Sequence, residues 1–148
     1  MSPRWRWYLF GYLMALPHTL IGLVLALIYR SGSWRWASGC LECVGGTFVE
    51  NGRTQTRIWG RPGAQTHGWL IIYASESLRT IKTLRAHERT HVVQGFVGGP
   101  LYVVAYVWCF LWLFAVGEFK NWRAAYEANP FEKHARAAAR RAGAWGTV

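Results

Sequence analysis

S-E-S-L-R-T-I-K-T-L-R-A-H-E-R-T-H-V-V-Q-G-F-V-G-G-P, residues 75–100, decides how this chain is built. Ser75 is a good helix cap, and Leu78, Ile81, Leu84, His87, Glu88, His91 and Gly95 then recur at three- and four-residue spacing. That period predicts one helix from Ser75, ended by Gly98-Gly99-Pro100. Inside it sits His87-Glu88-Arg89-Thr90-His91, an H-E-x-x-H pattern. Two histidines one turn apart project from one helical face, close enough for both imidazoles to hold one Zn²⁺. Glu88 is then placed to act as general base toward water on the metal. The plainer reading of His87 and His91 is a polar pair at a membrane surface. For Glu88 it is an ion pair with its arginine neighbours Arg85 or Arg89.

Outward from this segment the chain is strongly apolar. Downstream, Leu101–Phe119 carries one charge, Glu118, in 19 residues. Upstream, Trp7–Tyr29 is 23 residues without Lys, Arg or Glu. About 20 apolar residues cross a bilayer core, so the first run reads as a transmembrane helix and the second as membrane-embedded. A signal peptide is the competing reading of the first run. Its basic start fits, but its length exceeds an ordinary h-region, and Pro17-His18 interrupts it. His18 is polar where polarity is costly; a hydrogen bond at the kink is its simplest role.

Trp5, Trp7, Trp34 and Trp36 flank the first run among arginines, and Trp108, Trp112 and Trp122 lie in or beyond the second. Amphipathic rings favour the headgroup zone. The net charge of +10, from 17 Lys and Arg against 7 acids, therefore reads as attraction to an anionic lipid surface. No basic block interleaved with stacking aromatics suggests nucleic acid. The expected setting is an integral membrane protein of a bacterial inner (cytoplasmic or intracytoplasmic) membrane.

All seven acids are glutamates; there is no Asp. Aspartic-protease dyads, Ser-His-Asp triads and EF-hand loops are excluded. A catalytic zinc needs a third protein ligand, and Glu118, Glu127 and Glu132 are the downstream choices. Glu132, in N-P-F-E-K-H-A, is favoured. It competes with a capping box, since Asn129 is a good cap, Pro130 a good first helical residue, and Glu132 falls at the third position. Gln94, one turn past His91, is a candidate supporting residue; Tyr126 and His134 are candidates for stabilising an oxyanion or supporting the ligands.

The remaining segments give an α+β organisation. Residues 1–29 form a basic lead and the transmembrane helix; residues 30–148 form one membrane-associated domain. Residues 30–46 read as a Ser/Gly/Trp-rich connector. T-F-V-E and T-Q-T-R-I-W flank Asn51-Gly52 as a hairpin, and a break at Gly60–Gly63 precedes H-G-W-L-I-I-Y. Residues 118–128 connect, and a last helix runs from Asn129 to about Gly143. Cys40-Leu41-Glu42-Cys43 is a lone C-x-x-C: a redox pair, half a metal site, or two free thiols. Cys109 reads as packing.

H-E-R-T-H-V-V-Q resembles the H-E-x-x-H-V-x-Q segment of a group of small, mostly uncharacterised bacterial zincin-like proteins. Their upstream G-x-x-T-x-G-x-x-I matches Gly63–Ile71. The G-P-L-[FY] that opens their apolar helix matches Gly99–Tyr102, and their Y-x-x-N-P-x-E-x-x-A matches Tyr126–Ala135. The resemblance covers about residues 60–140. It implies a gluzincin-like set, with His87, His91 and Glu132 as metal ligands and Glu88 as base, and leaves the substrate open.

Two functions are expected. The first is a membrane-anchored zinc-metallopeptidase-like protein that takes an extended peptide along the strands near Trp69–Tyr73. The alternative is a non-catalytic integral-membrane subunit of a larger respiratory or photosynthetic complex, with a vestigial zincin scaffold. One geometric condition divides them. If Leu101–Phe119 crosses the bilayer without returning, His91 and Glu132 lie on opposite sides and share no metal.

Overall fold

The computed structural model describes residues 4–45, 47–50, 53–56, 63–117 and 121–144. It is a mixed α+β structure: α1 (Arg4–Ile28), β1 (Gly32–Ala37), β2 (Cys40–Val44), β3 (Thr47–Glu50), β4 (Arg53–Thr56), β5 (Ala64–His67), β6 (Leu70–Tyr73), α2 (Glu76–Thr80), α3 (Lys82–Gly98), α4 (Pro100–Val116), α5 (Trp122–Ala128) and α6 (Pro130–Ala144).

Strands β1, β2, β6 and β5 form one sheet in that order, with β2 and β6 parallel and the two outer pairs antiparallel. The central strand β6 has all four residues buried. Alternation along a strand sends its side chains to opposite faces. Leu70 and Ile72 therefore meet Ala26, Tyr29 and Cys43 under α1, while Ile71 and Tyr73 meet Cys40 and Val92 under α3. The sheet is a middle layer between α1 and α3.

α1 contacts that layer through small residues at helical spacing. Ala15, Thr19 and Ala26 are fully buried. The Thr19 hydroxyl donates to the Ala15 carbonyl at 3.0 Å and accepts the Trp69 backbone N–H at 3.1 Å. Gly68, φ +60°, turns β5 into β6 directly under Thr19; any side chain there would collide with the Thr19 hydroxyl. The opposite face of α1 exposes Leu9, Leu13, Leu20, Ile21, Val24 and Leu27. Its stretch Trp7–Ile28, mean hydropathy 1.9, is long and apolar enough to cross a membrane.

Several expectations are corrected. The connector at 30–46 is a strand hairpin over residues 32–44. Trp34, Trp36, Leu41 and Val44 favour extended backbone, and Ser38-Gly39, both at positive φ, make its two-residue turn. H-G-W-L-I-I-Y is not one strand: Gly68 folds it into β5 and β6. β6 is consequently interior and offers no edge at Trp69–Tyr73. The helix from Ser75 is broken at Ile81, which adopts extended backbone (ψ 112°) after the β-branched Thr80. Ser75 caps only α2, accepting the Leu78 N–H at 3.3 Å. The stretch 118–128 contains α5, capped by Asn121 on the Ala124 N–H at 3.1 Å.

Other expectations agree. β3 and β4 pair antiparallel, Thr47 opposite Thr56. The Asn51-Gly52 turn, the break at 60–62, Gly46 and Glu118 lie outside the described residues. Gly98 ends α3, and Pro100 opens α4, bent by 116° from α3 at Gly99, φ +51°. No residue of α4 is buried. α6 begins behind the Asn129 cap and packs along α3.

Candidate metal centre

Two helices carry the candidate ligands. α3 carries His87, Glu88 and His91 on the side that meets α6, and α6 brings Glu132 in its first turn. His87 Nε2 and His91 Nε2 lie 3.2 Å apart. Glu132 closes the group, with Oε2 3.4 Å from His87 Nε2 and Oε1 3.2 Å from His91 Nε2. One ligand atom from each of the three residues falls within 4.8 Å of the others. The chain thus returns to α3 after α4: α5 and α6 fold back, and α4 does not part His91 from Glu132.

The competition over Glu132 resolves by geometry. Asn129 does cap α6, accepting the Phe131 N–H at 3.1 Å. The Glu132 carboxylate points instead to the histidines and accepts the Tyr106 hydroxyl at 2.8 Å. Glu127, the rival candidate, is exposed and ion-paired with Arg123 at 2.8 Å.

The donor set suits a divalent cation. Gln94 Oε1 accepts from His91 Nδ1 at 2.8 Å, while Gln94 Nε2 donates to the Phe131 carbonyl at 3.1 Å. The second bond fixes the amide's orientation, so its oxygen faces His91 and leaves the lone pair on Nε2. Glu132 Oε2 is buried without a hydrogen-bond partner. Two imidazole nitrogens and an orphaned carboxylate oxygen at these separations repel one another unless a proton or cation lies between them.

The two carboxylates are driven apart. Burial pushes Glu88 upward, only partly opposed by His91, the Thr66 hydrogen bond and His87. Burial also raises Glu132, but the close approach of His87 and His91 outweighs it and holds its carboxyl well below the usual range. Glu132 is the stable anion; Glu88 is the group disposed to take up a proton. Burial draws the His91 imidazolium down, yet Glu132 and Glu88 together leave it raised. Thr66 of β5 orients Glu88, donating to Oε2 at 2.7 Å.

A cavity of about 360 Å³ opens over this group, lined on one side by β5 and on the other by Tyr102, Val103, Tyr106 and Tyr126. Tyr126 stands close enough to Glu132 for the carboxylate to push its hydroxyl pKa up beyond the effect of burial. His134 stands behind Gln94, 3.3 Å from its Nε2, and does not line the cavity. Of the expected supporting residues, Gln94 touches a candidate ligand on the imidazole side and Tyr126 on the carboxylate side; His134 acts only on Gln94. Three contributors were not anticipated. Tyr102 and Tyr106 are the hydroxyls spaced one turn apart on the otherwise apolar α4, a signal visible in the sequence. Thr66 is the threonine of the G-x-x-T-x-G stretch at Gly63–Gly68, a motif position to which the sequence attached no role.

Arg85 and Arg89 do not pair with Glu88; both turn to Glu42 of β2, at 3.6 and 3.5 Å. Cys40 and Cys43 are free thiols in the cores on opposite faces of the sheet, so the C-x-x-C is not a redox pair. Compared with family models, curated proteins and solved structures, the chain matches none.

Proposed function

We propose that this chain is a membrane-anchored, zinc-metallopeptidase-like protein. The observation that carries the reading is the meeting of His87, His91 and Glu132 beside buried Glu88. His87 Nε2, His91 Nε2 and the Glu132 carboxylate would hold a Zn²⁺, and the chemistry it would supply is a bound water with its pKa lowered to about 7. Glu88, held by Thr66, takes the proton from the attacking water and returns it to the leaving amine. Gln94 and Tyr106 keep His91 and Glu132 in place. Among the described residues β5 pairs only with β6, so its outer edge borders the cavity. An extended peptide substrate adds there as a strand, at β5 rather than at β6. The exposed apolar faces of α1 and α4 seat the protein in a bilayer, in keeping with a bacterial inner membrane. Nucleic acid has no part in this reading.

A second reading is favoured by α4, which exposes Leu101, Val104, Trp108, Leu111 and Trp112. Such a surface equally suits the helices of other integral-membrane subunits, with the metal group serving structure. Detergent-purified protein separates the two. One zinc per chain, lost in His87→Ala and kept in Glu88→Gln, together with peptide cleavage abolished by Glu88→Gln, supports the peptidase. Stoichiometric zinc without turnover, in a stable multi-subunit particle, supports the subunit. Absence of zinc from the wild-type chain sinks both metal readings.

A further inference from the structure

Glu42, at the middle of β2, is completely buried, and three guanidinium groups surround it. Arg35, on the neighbouring edge strand, donates to Oε2 through Nε at 2.8 Å and through Nη2 at 2.6 Å. Arg85 and Arg89, one turn apart on α3, approach Oε1 only to 3.6 and 3.5 Å, beyond good hydrogen-bond distance. Three positive charges against one negative charge leave an excess of two. Glu88 lies on the same side of the sheet, but among the described residues it pairs with neither arginine, and its carboxylate accepts from Thr66 of β5.

The hydrogen bonding is equally incomplete. Arg85 Nε, Arg89 Nε and Arg89 Nη2 are buried without a hydrogen-bond partner, and Glu42 Oε1, the one carboxylate oxygen they approach, is unpartnered as well, so a single acceptor faces three unpaired donors. The Tyr73 hydroxyl, on a fully buried side chain within electrostatic reach of Glu42, Glu88, Arg85 and Arg89, also has no partner. Buried donors are ordinarily satisfied, and a guanidinium fork matches a tetrahedral oxyanion in geometry and charge. The three arginine side chains keep between 28% and 38% of their surface in contact with the exterior, so the cluster is open on one side. Trp34 and Trp36, exposed on either side of Arg35, are the residues that settle at lipid headgroups.

We propose that Arg35, Arg85 and Arg89 form a binding site for a phosphate-type dianion, distinct from the His87–His91–Glu132 group. The ligand is a phosphate monoester group, carried either by a lipid headgroup or by a free ion. Both offer negative charge and more acceptor oxygens than the single unpaired oxygen of Glu42 supplies to the three free donors.

Two titrations of the full chain in non-ionic detergent test this, with a vesicle arm to identify the source. Inorganic phosphate is compared with potassium chloride at equal ionic strength, reading the thermal unfolding midpoint. Flotation is then compared on phosphatidylcholine vesicles with and without phosphatidic acid. The wild-type midpoint rises with phosphate beyond the chloride control, and Arg85→Gln and Arg89→Gln each weaken the apparent affinity about tenfold or more. Glu42→Gln removes the competing carboxylate and gives a larger phosphate response than wild type, which a purely internal ion cluster would not. It also carries the test should the arginine variants fail to fold. A response to soluble phosphate assigns a free-ion ligand. A gain in flotation that requires phosphatidic acid and is lost in the arginine variants assigns the headgroup. No phosphate-specific shift together with no dependence on phosphatidic acid overturns the proposal, as does a response unchanged in all three variants.

Discussion

The side-chain amide of Asn129 donates to the Tyr106 carbonyl oxygen at 3.2 Å, while its own oxygen caps α6 on the Phe131 N–H at 3.1 Å. One buried residue therefore fixes the start of α6 against the middle of α4, a single turn from Glu132. Asn129→Ala removes the cap and leaves a buried carbonyl without its donor. We expect a loss of about 1–3 kcal/mol in denaturant unfolding. Zinc affinity should fall in the same variant, although Asn129 touches no candidate ligand. Undiminished affinity would mean that Glu132 is positioned without it.

Gln94→Ala tests the orientation of His91. Loss of a residue that aligns a metal-bound imidazole weakens zinc about 10–100-fold. Competition with a chromophoric chelator measures this, and Gln94→Glu, which restores an acceptor, should recover most of it. His134→Ala, one contact further out, should change affinity far less.

How much of this was legible beforehand depended on distance along the chain. The H-E-x-x-H spacing is a local property of a helix, so His87, Glu88 and His91 could be placed on one side from periodicity alone. Glu132 was nominated by the shortage of acids and by motif spacing, but whether it reached the histidines depended on the path of α4 and α5. No periodicity encodes that path. Trp34-Arg35-Trp36 misled because aromatic and basic residues mark a lipid interface and an edge strand equally well. The break at Ile81 was hidden because Leu78 and Leu84 keep helical phase across it while packing in different cores, under α1 and under α3.

Glu88 makes metal-free stability depend on pH. A carboxyl whose folded pKa is raised binds protons more strongly in the folded chain. Its contribution is greatest below the unfolded value and is lost as pH rises through the folded one. Glu88→Gln does not titrate. In chelator-treated protein it should be more stable than wild type by about 1–3 kcal/mol at neutral pH. The difference should close toward about pH 4, near the unfolded carboxyl value. A difference that stays constant with pH would remove burial as the cause.

Burial pushes the Cys43 thiol up to about 11, with Ser31 and Arg79 opposing only in part. At pH 8 its thiolate fraction is about two orders of magnitude below that of an ordinary cysteine, so alkylation should be slower by at least that factor until the chain unfolds. Peptide mapping after a timed iodoacetamide pulse reads this directly. Mild oxidation should give no Cys40–Cys43 disulfide, because the two sulfurs occupy different faces of the sheet.

Gly68→Ala places a methyl group against the Thr19 hydroxyl in a left-handed backbone conformation. We expect about 2–4 kcal/mol of destabilisation from conformation and overpacking together. Thr19→Ser should not recover it, because the colliding hydroxyl stays and the backbone at Ala15 and Thr19 is close as well.

The small-residue side of α1, from Ala15 to Tyr29, is the lid of one of the two cores. The helix is therefore not an interchangeable tether. Cleavage just after it would strip cover from Leu70, Ile72 and Cys43 and release no soluble fragment. A cell could not shed the sheet and the His87–His91–Glu132 group by clipping a stalk, and swapping in a generic hydrophobic leader would produce insoluble material.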